Sequence, residues 1–217
     1  YSQPFQEKSS YIMDMGKQEM DFTMEGYNNA EVTLNQTQIL ENIHAVQDYN
    51  GIQRSEQLVN NMGCCNLDVE METGTGKTFV YTKTIFELNK EFGWTKFIII
   101  VPSIAIREGV FLSIQDTVDY FQDAYGKKAR TFIYNSSNLS QLDSFSSDAN
   151  INVMIINTQA FNASLKEDGN SKEARIIYSK RDEFASRRPI DVIAANRPII
   201  IMDEPQKMGG DRTQNAL

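Results

Sequence analysis

Hydrophobic positions along the chain change period several times, and each change marks an element. From Thr33 to Gln47, the residues Leu34, Ile39, Leu40, Ile43 and Val46 recur on roughly one helical face, and Asn50-Gly51 supplies a stop. Cys65, Leu67, Val69 and Met71 alternate with polar residues, which is the two-residue period of a short strand. That strand leads into Thr73-Gly-Thr-Gly76. A helix is then predicted over Lys77–Phe92, with Phe79, Val80, Ile85, Phe86 and Leu88 as its apolar positions and Gly93 as its end.

Phe97–Val101 is continuously apolar and β-branched, as expected of a strand covered on both faces in a parallel sheet. One helix is predicted from Ile104 to Ala124, a short strand at Thr131–Tyr134 and a buried strand at Ile151–Ile156. The Ser-, Asn- and Asp-rich stretch 135–150 reads as a surface loop. Residues 162–197 read as a long polar excursion with some helix around Lys172–Phe184. Ile199–Met202 is a last apolar run, breaking at Asp203-Glu-Pro205. Residues 1–32 show no clear period and are set apart as an N-terminal arm, leaving 33–217 as one α/β domain with a mostly parallel sheet and helices on both faces. Ligands of such sheets bind beyond the carboxyl ends of the strands. The glycine loop and Asp203-Glu204 both follow strands, so they are expected at one sheet edge although 126 positions apart (203 − 77).

Composition narrows the classes. No apolar run approaches the roughly 20 residues of a membrane span, and the N-terminus has no signal-peptide pattern, which points to the cytoplasm. The absence of an initiator Met suggests a piece of a longer protein. Cys64 and Cys65 are adjacent, unlike a disulfide framework or a zinc site, and read as reduced cysteines opening a buried strand. His44 is the only histidine, which excludes a Ser/His/Asp triad or a histidine-rich metal centre. Twenty-one basic against 29 acidic residues give a net charge of −8, which argues against tight nucleic-acid binding by this chain alone.

Glu72-Thr-Gly-Thr-Gly-Lys-Thr78 has the parts of a phosphate-binding loop. Gly74 and Gly76, with Thr73 and Thr75, let backbone N–H groups close on a phosphate without an obstructing Cβ. Lys77 reaches the β and γ oxygens, and the Thr78 hydroxyl suits Mg²⁺. Met71 stands where the usual pattern has its first glycine, and the Glu72 side chain is expected to point away or to meet a basic group. Asp203 is suited to the metal's water shell, and Glu204 to polarising an attacking water. No Asn-Lys-x-Asp segment is present, so ATP is expected rather than GTP.

Met71-Glu-Thr-Gly-Thr-Gly-Lys-Thr78 and Asp203-Glu-Pro-Gln206 resemble motifs I and II of superfamily 2 helicases. More narrowly, the chain resembles the restriction (Res) subunit of type III restriction–modification enzymes. The matching stretches are Glu70–Thr78 with Tyr81, Phe97–Ser103 with Ala105–Gly109, Asn157-Thr-Gln-Ala-Phe161 and Met202–Met208. The resemblance implies the first RecA-like domain of an ATP-driven, Mg²⁺-dependent translocase on double-stranded DNA. It implies as partners a second RecA-like domain that supplies an arginine, and a modification methyltransferase subunit. Gln206 joins the nucleotide site, Ser103, Arg107, Thr158 and Gln159 become candidate DNA-backbone contacts, and Gln36 or Gln38 the candidate adenine reader. The residues themselves also allow cap and ion-pair roles for Ser103 and Arg107. The competing functions are a generic superfamily 2 helicase or remodeller, and a nucleotide-gated binding module.

Overall fold

The structure, a computed structural model, describes residues 6–11, 24–58, 65–160, 176–180, 182–184 and 186–208. The chain divides into two compact units, one holding Tyr1–Ala30 with Gly76–Ala216 and the other Glu31–Thr75.

In the larger unit the centre is a four-stranded parallel sheet. Its strands are β3 (Lys96–Val101), β4 (Arg130–Ile133), β5 (Asn152–Asn157) and β6 (Ile199–Met202), in the order β4-β5-β3-β6. Every residue of β3 and β5 is buried, as the unbroken apolar runs require. Helices α2 (Lys77–Phe92), α3 (Ile104–Asp116) and α4 (Val118–Tyr125) cover one face, where Ile85, Phe86, Val110, Ile114 and Phe121 cluster with Phe97, Ile99, Val101, Val153 and Ile155. Phe86 stacks on Phe121 with ring centroids 4.8 Å apart. The alternate residues point to the opposite face, where α5 (Ser140–Ser147) lies with Phe145 edge-on to Phe132. There α5 contacts α6 (Pro189–Ala195).

Several expectations are corrected. The helix over 104–124 is two helices broken at Thr117, whose hydroxyl bonds back to the Ser113 and Ile114 carbonyls. The expected loop at 135–150 contains α5, because Leu139, Leu142 and Phe145 recur every three residues and are all buried. The polar excursion includes α6, started by Pro189 in its first turn, where a missing N–H does no harm. The expected helix at 172–184 lies largely outside the described residues; Ile176–Tyr178 within it make one helical turn. The N-terminal arm is not wholly irregular: β1 (Gln6–Tyr11) and β2 (Met24–Asn29) pair antiparallel.

Asn29, at the end of β2, joins three strands. Its side chain donates to the Lys96 and Arg197 carbonyls and accepts from the Thr95 and Lys96 N–H groups, while its own N–H bonds to Asn196 O. All four side-chain hydrogen-bonding positions of a buried amide are thereby satisfied. Lys96, fully buried beside it, donates its ammonium to the carbonyls of Phe145 and Asp148 at the end of α5. Burial lowers the Lys96 pKa to about 8 from 10.5. Between those values the unfolded chain holds a proton that the folded chain has lost, so stability rises with pH across this window. We expect a gain on the order of 2 kcal/mol from pH 8 to 10 in urea melts, and a flat profile for Lys96→Met; equal slopes would show that burial does not control this group.

The smaller unit contains α1 (Gln36–Tyr49). Asn35 caps it by accepting from Gln38 N, while the Gln38 side chain accepts from Asn35 N, a reciprocal capping box. Gly51, at φ +65°, follows its end. Residues 65–72 form no strand, and Leu67 and Val69 are exposed despite their alternation. Cys65 is exposed too, and Cys64 lies outside the described residues.

Candidate nucleotide site

Two separate local structures carry the glycine motif. In the smaller unit, Glu72–Thr75 forms a turn in which the Thr75 hydroxyl donates to Glu72 O at 2.6 Å and the Thr75 N–H to the same oxygen at 3.4 Å. Gly74 there sits at φ +82°, a conformation that carries a penalty of roughly 1–2 kcal/mol for a residue with a Cβ. Glu72 is exposed and makes no described ion pair. In the larger unit, Gly76 at φ +87° is the residue before α2, and no side chain caps that helix. Its first N–H groups therefore point outward without a side-chain partner, the arrangement that favours an anion.

Seven further side chains meet at the carboxyl edge of the large sheet. Lys77 opens α2 and forms an ion pair with the Glu204 carboxylate. Glu204 also holds Lys207 at 3.2 Å and accepts from the Gln206 amide at 2.7 Å. Asp203 continues the β6 ladder, its N–H bonding to Ile100 O at 2.9 Å. The Tyr81 hydroxyl lies 3.3 Å from Thr78 Oγ1 and 3.5 Å from Asp203 Oδ2, and so bridges the two. Within α2, the Thr82 hydroxyl donates back to the Thr78 carbonyl at 2.7 Å.

The electrostatics separate the two carboxyls. Burial, and then the neighbouring Glu204 charge, push the Asp203 pKa up; the Lys77 hydrogen bond, and then Lys207, hold Glu204 below its ordinary value. Lys77 is raised, first by its bond to Glu204. Glu204 adopts a left-handed backbone at φ +58°, ψ +52°, which aims its side chain back at α2 and begins the 3-10 turn Pro205–Lys207. Sequence reasoning assigned no role to Tyr81 or Lys207. The signal for Tyr81 was its place one helical turn beyond Lys77 and Thr78.

The candidate DNA-contact residues are more dispersed. Ser103 Oγ accepts from Ile106 N at 3.3 Å and caps α3. Arg107 pairs with Glu108 at 3.0 Å, while its Nε is buried with no hydrogen-bond partner. Arg107 also lines a cavity of about 520 Å³ between α3 and the end of β4. Thr158 is buried and Gln159 exposed in the 3-10 turn Thr158–Ala160 after β5.

A parallel sheet with helices on both faces, a glycine loop before α2 and an acidic pair after β6 define a RecA-like P-loop nucleotide-binding fold. Residues 29–216 match the family described as "Type III restriction enzyme, res subunit", and the chain belongs to that family. It is 36% identical over 193 residues to the EcoPI Res subunit of Escherichia phage P1 and 37% identical over 195 residues to the EcoP15I Res subunit of Escherichia coli, matching 82% of this chain in each case. It is 32% identical over 165 residues, 67% of this chain, to the StyLTI Res subunit of Salmonella typhimurium strain LT2. The chain spans 19% of the length of the first two relatives and 16% of the third. No described helix is long and apolar enough to cross a membrane.

Proposed function

We propose that this chain is the ATP-binding and ATP-hydrolysing motor domain of a type III restriction enzyme, coupling hydrolysis to translocation on double-stranded DNA before cleavage. The observation that carries the reading is the meeting of Lys77, Thr78, Tyr81, Asp203 and Glu204 at one sheet edge, from two segments more than 100 residues apart. A second RecA-like domain and a modification methyltransferase are its proposed partners.

In this reading residues 72–78 hold the phosphates of ATP. Thr78 and Asp203 fit Mg²⁺, since a hydroxyl and a carboxylate already brought together by Tyr81 are the hard oxygen donors that the ion takes alongside water. Bound there, Mg²⁺ would neutralise charge on the β and γ oxygens. Lys77 moves its ammonium from Glu204 to the phosphate oxygens. With Lys77 on the phosphates, the Glu204 carboxylate would be free to orient the attacking water. Gln206 and Lys207 keep Glu204 in position throughout.

Arg107 and Gln159 are the proposed backbone contacts for DNA. Ser103 and Thr158 are proposed as contacts beside them, Ser103 also capping α3.

Replacing Lys77 with Ala tests the site. A charge-assisted hydrogen bond is worth about 1.5–3 kcal/mol, so ATP affinity measured by calorimetry is expected to fall roughly ten- to hundredfold while circular dichroism is unchanged. Wild-type affinity in the variant would remove Lys77 from the site.

A further inference from the structure

The opposite edge of the sheet carries a feature that the nucleotide site does not use. Gly126 ends α4 in a left-handed conformation, and Lys127-Lys128-Ala129-Arg130 then enters β4. Three cations in four residues is far above the chain's 21 in 217, in a molecule with net charge −8. They line a cavity of about 490 Å³ together with Asn89, Asp148 and Asn150.

Their partners distinguish this cluster from an ordinary solvated surface. Elsewhere among the described residues, Arg54, Lys77, Lys90, Arg107, Arg187, Arg188 and Lys207 are paired with carboxylates, and the exposed Lys83 of α2 is a lone cation rather than part of a cluster. Here Lys127 donates to the neutral Asn89 amide at 2.9 Å, which fixes its ammonium at the cavity wall without discharging it. The side chains of Lys128 and Arg130 make no hydrogen bond or ion pair among the described residues, the Arg130 N–H being held by Ile151 O at 2.8 Å, and the Arg130 guanidinium rests on the Phe132 ring. The one lining acid, Asp148, keeps its charge but faces three cations, and its Oδ1 is turned to Asn150 N and Nδ2 at 2.9 and 2.8 Å. A cation after a helix end answers the helix dipole, which accounts for Lys127 but not for two further cations with no carboxylate in contact.

We propose that this cavity is a second phosphate-binding site and that it holds the sugar–phosphate backbone of nucleic acid. An ammonium, a guanidinium and neutral amides around a polar hollow suit a tetrahedral oxyanion. The lining has no aromatic or large apolar recess for the side chains of an acidic peptide, Ile151 being buried. At ordinary salt the field of a surface charge fades over about 10 Å, so a local cluster attracts a polyanion even on an acidic protein. The site lies at the amino ends of β4 and β5. Six residues of β5 at about 3.3 Å each separate it from the nucleotide edge by roughly 20 Å. It thus gives the acidic chain a grip on DNA remote from Arg107 and Gln159. The proposal rests on the reading of the chain as a DNA motor.

The test is Lys128→Glu with Arg130→Glu in this 217-residue chain. The probes are a labelled 30-base-pair duplex followed by anisotropy, and inorganic phosphate and Mg·ATP followed by calorimetry. Duplex affinity at low salt should fall at least tenfold, and the slope of log affinity against log salt should drop by about two, one for each lost phosphate contact. Mg·ATP affinity should be unchanged. Lys128→Ala with Arg130→Ala, which leaves no repulsive charge, should give a smaller loss in the same direction. Unchanged duplex affinity and slope in both variants, or no duplex binding by the wild type, overturns the proposal. Loss of inorganic-phosphate binding alone would assign the cavity to a free phosphate and overturn the nucleic-acid assignment. The Lys77→Ala measurement fails or succeeds independently of these, because it reads only the nucleotide site.

Discussion

On the proposed reading, the 217-residue chain alone is expected to hydrolyse ATP about 10³–10⁵-fold more slowly than when joined to a second RecA-like domain. Phosphoryl transfer to water builds charge on the transferring group, and P-loop enzymes stabilise it with an arginine delivered from outside the loop. Among the described residues the cations at this site are Lys77 and Lys207, both on Glu204, and no arginine bonds to Asp203 or Glu204. In the proposed reading, a second RecA-like domain supplies that arginine. Single-turnover hydrolysis at saturating Mg·ATP, compared between this chain alone and this chain joined to a second RecA-like domain, checks the expectation. Equal rates would mean that the site is complete as it stands and that no second domain contributes to the chemistry.

The next largest effect is expected from Glu204→Gln in the protein joined to the proposed second domain. Gln keeps the shape of the side chain and can still meet Lys207 through its carbonyl, but it cannot draw a proton from water. Loss of a positioned base typically removes 10²–10⁴ in rate, so hydrolysis should fall by about that factor. ATP binding should survive or tighten, because Lys77 no longer has a carboxylate to leave before it meets phosphate. The discriminating readout is this split between affinity and rate. A variant that loses both equally would make Glu204 a structural anchor for Lys77, and one that translocates normally would remove it from the chemistry.

What the sequence revealed followed how local the cause was. Helix α2 and strand β6 begin and end where the pattern set them, because Gly76, Gly93 and the Asp203-Glu-Pro break are local signals. The hydrophobic run of β3 needed only its own composition to identify it as interior. The alternation at Cys65–Met71 was equally clear and gives no strand, since a strand is stabilised by pairing and no described strand pairs with it. Helix α5 was hidden by poor helix formers, four serines and an aspartate, and exists through the burial of Leu142 and Phe145. At the site, the residue types of the loop and the acidic pair were legible. The Lys77–Glu204 pair and the Tyr81 bridge were not, because both depend on the register between α2 and β6, which no local pattern encodes.

Strand order has a consequence for how the chain is made. The central strand β3 is complete at Val101, but its neighbours arrive much later: β5 ends at Asn157 and β6 begins only at Ile199. A ribosome adds about 5–20 residues per second, so the 98 positions between Val101 and Ile199 (199 − 101) leave one edge of Phe97–Val101 unpaired for roughly 5–20 s during synthesis. Through that interval the most apolar segment of the molecule is an open template for another nascent chain. Production of this domain should therefore depend on the speed of translation through residues 102–198 and on chaperone supply, more than on the stability of the finished fold.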